Sequence, residues 1–189
     1  MQSFDTAIEG VRLLRPRRYP DARGWFQESW NARSYAEAGL PTSFLQDNLA
    51  LNHEVATLRG LHFQRPPAAQ GKLVWVLAGA VLDVVVDIRV GSPTYGRHVA
   101  VELDAAEGCQ LWVPEGFAHG YCTVQPHTLF MYKVTRYYDP ASEAGIDPYD
   151  PALAIAWPFD RARAILNEKD RRLPRLAELQ SPFSYGGLA

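Results

Sequence analysis

Hydrophobic residues along this chain recur at every second position, in short runs cut by glycine, proline and aspartate. In the run 81–89, Leu82, Val84, Val86 and Ile88 fall on one face, and Val81, Asp83, Val85 and Asp87 on the other. That period of two is the signature of a strand. Lys72–Ala78 reads as a second strand, with Gly79-Ala80 between the two. Further β-rich runs are 98–103, Gln110–Val113 and 128–136, with turn chemistry at Gly91-Ser92-Pro93, Pro114-Glu115-Gly116 and Asp139-Pro140. Helical patterning is sparse: a short helix over 32–38 stopped by Gly39, and a turn or two from Glu168 onward. Many short strands with few helices predict an all-β fold, a jelly-roll barrel with short peripheral helices. Such a barrel has room for one small ligand among its inward side chains.

Composition narrows the classes. The 189 residues show no repeat, low-complexity stretch or linker-like break, so one domain is expected over 1–189, with 174–189 a peripheral tail. An apolar share of 47% supplies a core without staples and excludes a disordered chain. With 19 Lys and Arg against 21 Asp and Glu, nothing attracts nucleic acid in general. No apolar run approaches the roughly 18 residues of a membrane helix. The opening Met1-Gln2-Ser3-Phe4-Asp5 lacks the basic start and apolar run of a signal peptide. Cys109 and Cys122 form no CxxC pair and are too few for a disulfide framework, so they read as reduced thiols of a cytoplasmic protein.

Candidate chemistry gathers in two places. Between Leu58 and Lys72 one stretch supplies Arg59, His62, Gln64, Gln70 and Lys72. A lysine opening an apolar strand is costly to bury unless paired; it either faces a ligand or reaches solvent from the strand end. His62 is either a satisfied core residue or a titrating group. The second place is Pro114-x-Gly116-x-x-His119, which resembles the second signature of the cupin barrels. Metal-binding cupins offer two histidines one residue apart plus a glutamate. Here the matching stretch is His62-Phe63-Gln64, with no glutamate before Lys72, so no metal is expected.

Taken in order, a longer series emerges: Asp21-x-Arg23-Gly24-x-Phe26-x-Glu28, Gln46-x-Asn48, Leu58-Arg59-Gly60-Leu61-His62-x-Gln64, Gln70-Gly71-Lys72, then Val86-Asp87-Ile88-Arg89-x-x-Ser92-Pro93-Thr94-Tyr95-Gly96. It continues with Pro114-x-Gly116-Phe117-Ala118-His119-Gly120, Tyr132-Lys133 and Lys169-Asp170. The series resembles the dTDP-4-dehydrorhamnose 3,5-epimerase family over nearly the whole chain. The resemblance implies a cupin-type jelly roll acting on a dTDP-sugar: an isomerase that inverts C3 and C5 of dTDP-4-dehydro-6-deoxy-D-glucose to give dTDP-4-dehydro-L-rhamnose. A hydrogen next to a ketone is acidic because its removal yields an enolate. The site therefore needs a base, a group to stabilise the enolate oxygen and an acid on the opposite face, and no redox cofactor.

By the same resemblance His62 is the base, a residue type that titrates near neutrality. Asp170 orients it, Lys72 stabilises the enolate and Tyr132 returns the proton. Arg23 and Arg59 match positions that meet the diphosphate. Phe26, Glu28, Gln46, Asn48 and His119 match substrate-binding positions. The segment bearing Arg23, Phe26 and Glu28 reaches a neighbouring subunit in the family, which implies a homodimer. Alternation along 128–136 puts Phe130, Tyr132 and Val134 on one face, so Tyr132 points inward. Strict alternation separates Arg59 from His62; a bulge at Gly60 re-aims one of them, or Arg59 reaches the ligand from the rim.

Two stretches depart from the family. Leu49-Ala50-Leu51-Asn52 replaces a polar, serine-containing segment, so hydroxyls that touch sugar or phosphate are missing. Asp147-Pro148-Tyr149 lacks the family's tryptophan, and Tyr149 is the aromatic left to replace it. A mono-epimerase on a related dTDP-4-keto-6-deoxyhexose is the nearest alternative, and a non-catalytic cupin that binds a nucleotide sugar is the alternative of another class.

Overall fold

The computed structural model describes residues 1–187. In chain order the strands are β1 (Gln2–Asp5), β2 (Arg12–Arg15), β3 (Arg18–Asp21), β4 (Gly24–Gln27), β5 (Gln46–Asn52), β6 (Leu58–Gln64) and β7 (Lys72–Ala78). They continue with β8 (Ala80–Asp87), β9 (His98–Asp104), β10 (Gln110–Val113), β11 (Phe117–Thr123), β12 (Thr128–Val134) and β13 (Glu143–Gly145). One α-helix, α1 (Ala32–Glu37), precedes β5, and short 3-10 turns occupy Pro151–Leu153, Asp170–Arg172 and Leu176–Glu178. The all-β expectation holds.

Two antiparallel sheets form the body. One runs β1-β2-β10-β7-β12-β5, the other β13-β6-β11-β8-β9; β3 and β4 pair separately as a hairpin. Apart from β1-β2 and β8-β9, neighbours in each sheet are not consecutive in sequence, which is the jelly-roll arrangement. Lys72–Ala78 and Gln110–Val113 coincide with the pattern read from sequence. The strand expected over 81–89 stops at Asp87 because its buried carboxylate accepts from the Arg89 amide, Ser92 Oγ and Thr94 Oγ1 and turns the chain. The strand expected over 128–136 ends at Val134. The helix begins where Asn31 Oδ1 accepts from the amides of Arg33 and Ser34, an N-cap.

Between the sheets lie Val74, Val76, Val81, Val85, Leu103, Leu111, Phe117, Tyr121 and Phe130, all buried. The outer face of each sheet is covered as well. Leu73, Trp75 and Trp112 pack under Tyr35 of α1 and Leu40. Leu61, Val84, Val86, Ile88 and Ala118 pack under Ile146, Leu153 and Phe183, so residues 174–187 lie against the second sheet through the buried Phe183. The last two residues of the tail expected over 174–189 lie outside the described residues. Because both faces are covered, parity alone selects what points into the barrel. Lys72 shares its parity with Val74 and Val76, Asp83 with Val81 and Val85, His119 with Phe117 and Tyr121, and Tyr132 with Phe130.

Among the described residues no helix is long and apolar enough to cross a membrane. Cys109 and Cys122 are both buried free thiols.

Candidate active site

A cavity of about 180 Å³ opens between the sheets, lined by Arg59, His62, Lys72, His119, Tyr132 and Asp170 among others. Six residues picked out by the sequence thus meet in one place. His62 and His119 come from adjacent strands, where they are register partners, while Lys72 and Tyr132 come from the facing sheet.

Arg59 and His62 both line this cavity because the β6–β11 register shifts between them. His119 pairs with His62 and Tyr121 with Arg59, so β6 spends one residue more than β11 over the same distance. This is the bulge expected at Gly60. Gly60 has φ +121°, and a Cβ there would lie 2.6 Å from the Gly120 Cα. Only two glycines facing each other allow the strands so close.

His62 and Asp170 form a dyad. Asp170 is buried, and its Oδ1 lies 2.7 Å from His62 Nε2. Its Oδ2 accepts from the Gly60 amide at 3.1 Å, and its own amide donates to Asn167 Oδ1 at 2.6 Å. Burial pushes the Asp170 carboxyl up. The hydrogen bond and charge of His62, with the Gly60 amide and Lys169, outweigh it and hold the group below the ordinary carboxylate range. An ionised carboxylate only accepts, so it selects the tautomer with the proton on Nε2, and in the neutral imidazole Nδ1 is then the nitrogen with the lone pair.

A second pair lies deeper. His119 Nε2 sits 2.9 and 3.0 Å from the two oxygens of Asp83, both residues being buried. The His119 ring stacks on Phe130, which stacks in turn on Tyr121 at 4.0 Å between centroids. Each histidine of the cavity therefore has its own carboxylate. Among the described residues no three His, Cys, Asp or Glu side chains converge in a metal-ligand geometry.

Lys72 Nζ donates to the His62 carbonyl at 3.5 Å. Of the two positions open to it from sequence, it takes the interior one. Burial lowers its ammonium from 10.5 to about 8, while Asp83 and Glu143 pull the other way. Tyr132 is raised by burial, with Arg59 opposing. Its phenol therefore stays protonated at neutral pH.

The other residues expected at the site divide into two groups. Gln46 and Asn48 line an adjoining pocket of about 250 Å³ that shares Tyr132 with the first, and Gln46 Nε2 donates to Asn48 Oδ1 at 2.8 Å. Arg23, Phe26 and Glu28 do not line either pocket. Arg23 extends from the β3–β4 hairpin and pairs with Asp21, Phe26 is 66% exposed, and Glu28 accepts from Asn31 Nδ2 at 3.0 Å. The root of this hairpin is fixed, since Arg18 Nη2 donates to the Ala105 carbonyl and Gln27 Nε2 to that of Gly108.

The departing segment 49–52 affects the cavity less than its sequence implies. Leu49 and Leu51 point outward and are 64% and 52% exposed; only Ala50 lines the cavity, and Asn52 is buried behind it. Tyr149 lines neither pocket: its hydroxyl donates to the Phe159 carbonyl, and its ring packs against a cluster containing Leu58 and Cys122. Asp83, Asn52, Asn167 and Glu143 stand in or behind this site and are not among the site residues that the sequence points to; Glu143 pairs with both Lys169 and Tyr138. Asp83 carried a signal, as a charge set between Val81 and Val85 on one strand face. The asparagines carried none.

Comparison with known proteins covers nearly the whole chain. Residues 5–178 match the family described as dTDP-4-dehydrorhamnose 3,5-epimerase. A protein of that name from Sinorhizobium fredii is 46% identical over 183 residues, 95% of this chain and 91% of its own length. A crystal structure of dTDP-4-dehydrorhamnose 3,5-epimerase from Bacillus anthracis, with TDP and PPi bound, superposes with a TM-score of 0.89 at 45% identity, covering 92% of this chain and 98% of that one. The dTDP-6-deoxy-D-glucose-3,5-epimerase of Legionella pneumophila, in complex with dTDP-4-keto-L-rhamnose, gives a TM-score of 0.92 at 41% identity, covering 98% and 99%.

Proposed function

The chain belongs to the dTDP-4-dehydrorhamnose 3,5-epimerase family, and from that premise we propose that it inverts C3 and C5 of dTDP-4-dehydro-6-deoxy-D-glucose, giving dTDP-4-dehydro-L-rhamnose. The observation that carries the reading is His62, on one sheet and held by Asp170, facing Tyr132 on the other sheet across a single cavity. An epimerisation needs a base and an acid on opposite faces of one carbon, and two facing sheets supply them.

In this reading His62 Nδ1 takes the proton next to the ketone, and Asp170 compensates the imidazolium that forms. The electron pair of the broken C–H bond moves onto the ketone oxygen. Lys72, as its ammonium, stabilises that enolate by charge and hydrogen bonding. Tyr132 gives a proton to the same carbon from the other side, and solvent resets both groups. The second carbon follows after the sugar ring is re-presented to the same pair. His119, held by Asp83, and Arg59 contact sugar and diphosphate. The nucleotide continues into the pocket lined by Gln46 and Asn48; together the two pockets fall within the roughly 300–1,000 Å³ of small-molecule sites.

The site is completed by a second copy of the chain. The β3–β4 hairpin carries Arg23, Phe26 and the half-exposed Trp25 away from their own cavity, and a homodimer brings them to the neighbouring one. The two buried free thiols fit the reducing cytoplasm.

The test is proton NMR of dTDP-4-dehydro-6-deoxy-D-glucose with the purified protein in heavy water. Deuterium entering both carbons flanking the ketone, with inversion, is expected. Exchange at one carbon alone would make the protein a mono-epimerase, and no exchange at either would overturn the reading.

A further inference from the structure

Arg59 stands in the cavity wall with its guanidinium tied at one corner. Its Nε donates to Asn52 Oδ1 at 2.9 Å, and none of the ion pairs among the described residues includes it. The tether is itself held. Asn52, at the end of β5, is 2% exposed, and its Nδ2 donates to the carbonyls of Ala50 at 3.2 Å and Thr128 at 3.1 Å. Carbonyls only accept, so the amide nitrogen faces them and the amide oxygen faces Arg59. The Tyr121 hydroxyl lies 3.4 Å from that oxygen and closes the group.

The backbone of two strands thus dictates the direction of Asn52, and Asn52 dictates the direction of Arg59. Asn52 does not itself line the cavity. Whatever it does for a ligand, it does through Arg59. With Nε occupied, the guanidinium presents its Nη1 and Nη2 edge, a fork that matches two oxygens of a phosphate group. Without the tether, a long side chain on a half-exposed strand position would spread over several rotamers.

We infer that Asn52 is a positioning residue that aims the free edge of Arg59 at the diphosphate, so that it governs how tightly the nucleotide sugar is held and not how fast its protons move. This inference rests on the nucleotide-sugar reading above. It also gives the 49–52 segment a role that its apolar appearance conceals.

The experiment compares wild type, Arg59→Ala, Asn52→Leu and the double variant, with dTDP binding by calorimetry and the kcat and KM of epimerisation as readouts. Asn52→Leu is expected to raise the dTDP Kd and the KM by about ten- to a hundredfold, the range for a hydrogen bond to a charged group, with kcat changed by less than about twofold. In the Arg59→Ala background the same substitution is expected to add nothing. Asn52→Ser, smaller and still polar, is expected to reproduce the KM effect and serves if the leucine variant does not fold. A fall in kcat at constant KM, or an equal loss with and without Arg59, overturns the positioning role. So does dTDP binding that Arg59→Ala weakens and the Asn52 variants leave intact. Wild-type protein that fails to bind dTDP at all would instead overturn the nucleotide reading beneath it.

Discussion

His62 meets a carboxylate, Asp170, that is buried and doubly hydrogen-bonded, and in the proposed reaction the two share a single task. General-base catalysis contributes about 10²–10⁴-fold. His62→Ala is therefore expected to lower solvent exchange at both carbons by at least that factor, and near-wild-type turnover would refute its role. Tyr132→Phe keeps the ring and removes the proton donor. It is expected to slow net inversion more than exchange, because abstraction by His62 is untouched; equal losses in deuterium incorporation and inversion would make Tyr132 a packing residue. Lys72 adds a pH dependence. Its ammonium gives up its proton near 8 in the folded chain instead of at 10.5. An enolate-stabilising ammonium acts only while protonated, so kcat is expected to fall as pH rises through about 8, and Lys72→Arg to move that limb upward. The stability effect has the opposite slope. Between about 8 and 10.5 the unfolded chain still holds the Lys72 proton that the folded chain has released, so this residue makes stability rise with pH over that window. Urea melts of wild type and Lys72→Met at the two ends of the window should differ by that rise; parallel curves would mean that Lys72 is not desolvated.

At the scale of elements, the β6–β11 contact decides whether the site exists. A Cβ on Gly120 would come 2.5 Å from the Arg59 carbonyl, a backbone atom that has nowhere to go. Gly120→Ala is expected to cost at least the roughly 1–3 kcal/mol of an overpacked core, read as a lower urea midpoint. It should also lose activity out of proportion, since it separates Arg59 from His62. A variant as stable and active as wild type would show that the bulge is dispensable. Elements also differ in how legible they are. Lys72–Ala78 and Gln110–Val113 announce themselves by composition and bounding turns. β11 does not, because all seven of its residues are buried and no polar face marks its period. β5 reads inside out: Gln46, Asn48 and Ala50 face the pockets while Leu49 and Leu51 face outward, because the floor of the site is polar.

For the whole molecule, the hairpin makes the testable statement. If Arg23 of one copy serves the cavity of another, His62→Ala and Arg23→Ala proteins, each impaired alone, should complement when mixed and refolded together. A mixed dimer then holds one intact site and one doubly damaged site. Recovery of about a quarter of wild-type activity is expected from random pairing in a twofold-symmetric dimer. Additive activity with no recovery would mean that each cavity uses its own hairpin or none, and light scattering would report a monomer if no dimer forms.

Alternation, turn chemistry and the ordered motif series were enough to determine an all-β barrel, the inward direction of Tyr132 and the identity of His62, Lys72 and Asp170 as reactive candidates. These are local or linear properties: a period of two is written in consecutive residues, and a motif is a string. Tertiary structure alone decided that Asp83 belongs to His119, that Asn52 steers Arg59, and that Leu49 and Leu51 lie outside the site. Each of those depends on which strands become neighbours and in what register. In a jelly roll the partners lie far apart in sequence, 36 residues for His119 and Asp83 and 108 for His62 and Asp170. Such pairings are won by the burial and backbone hydrogen bonding of whole sheets, and no local pattern encodes them.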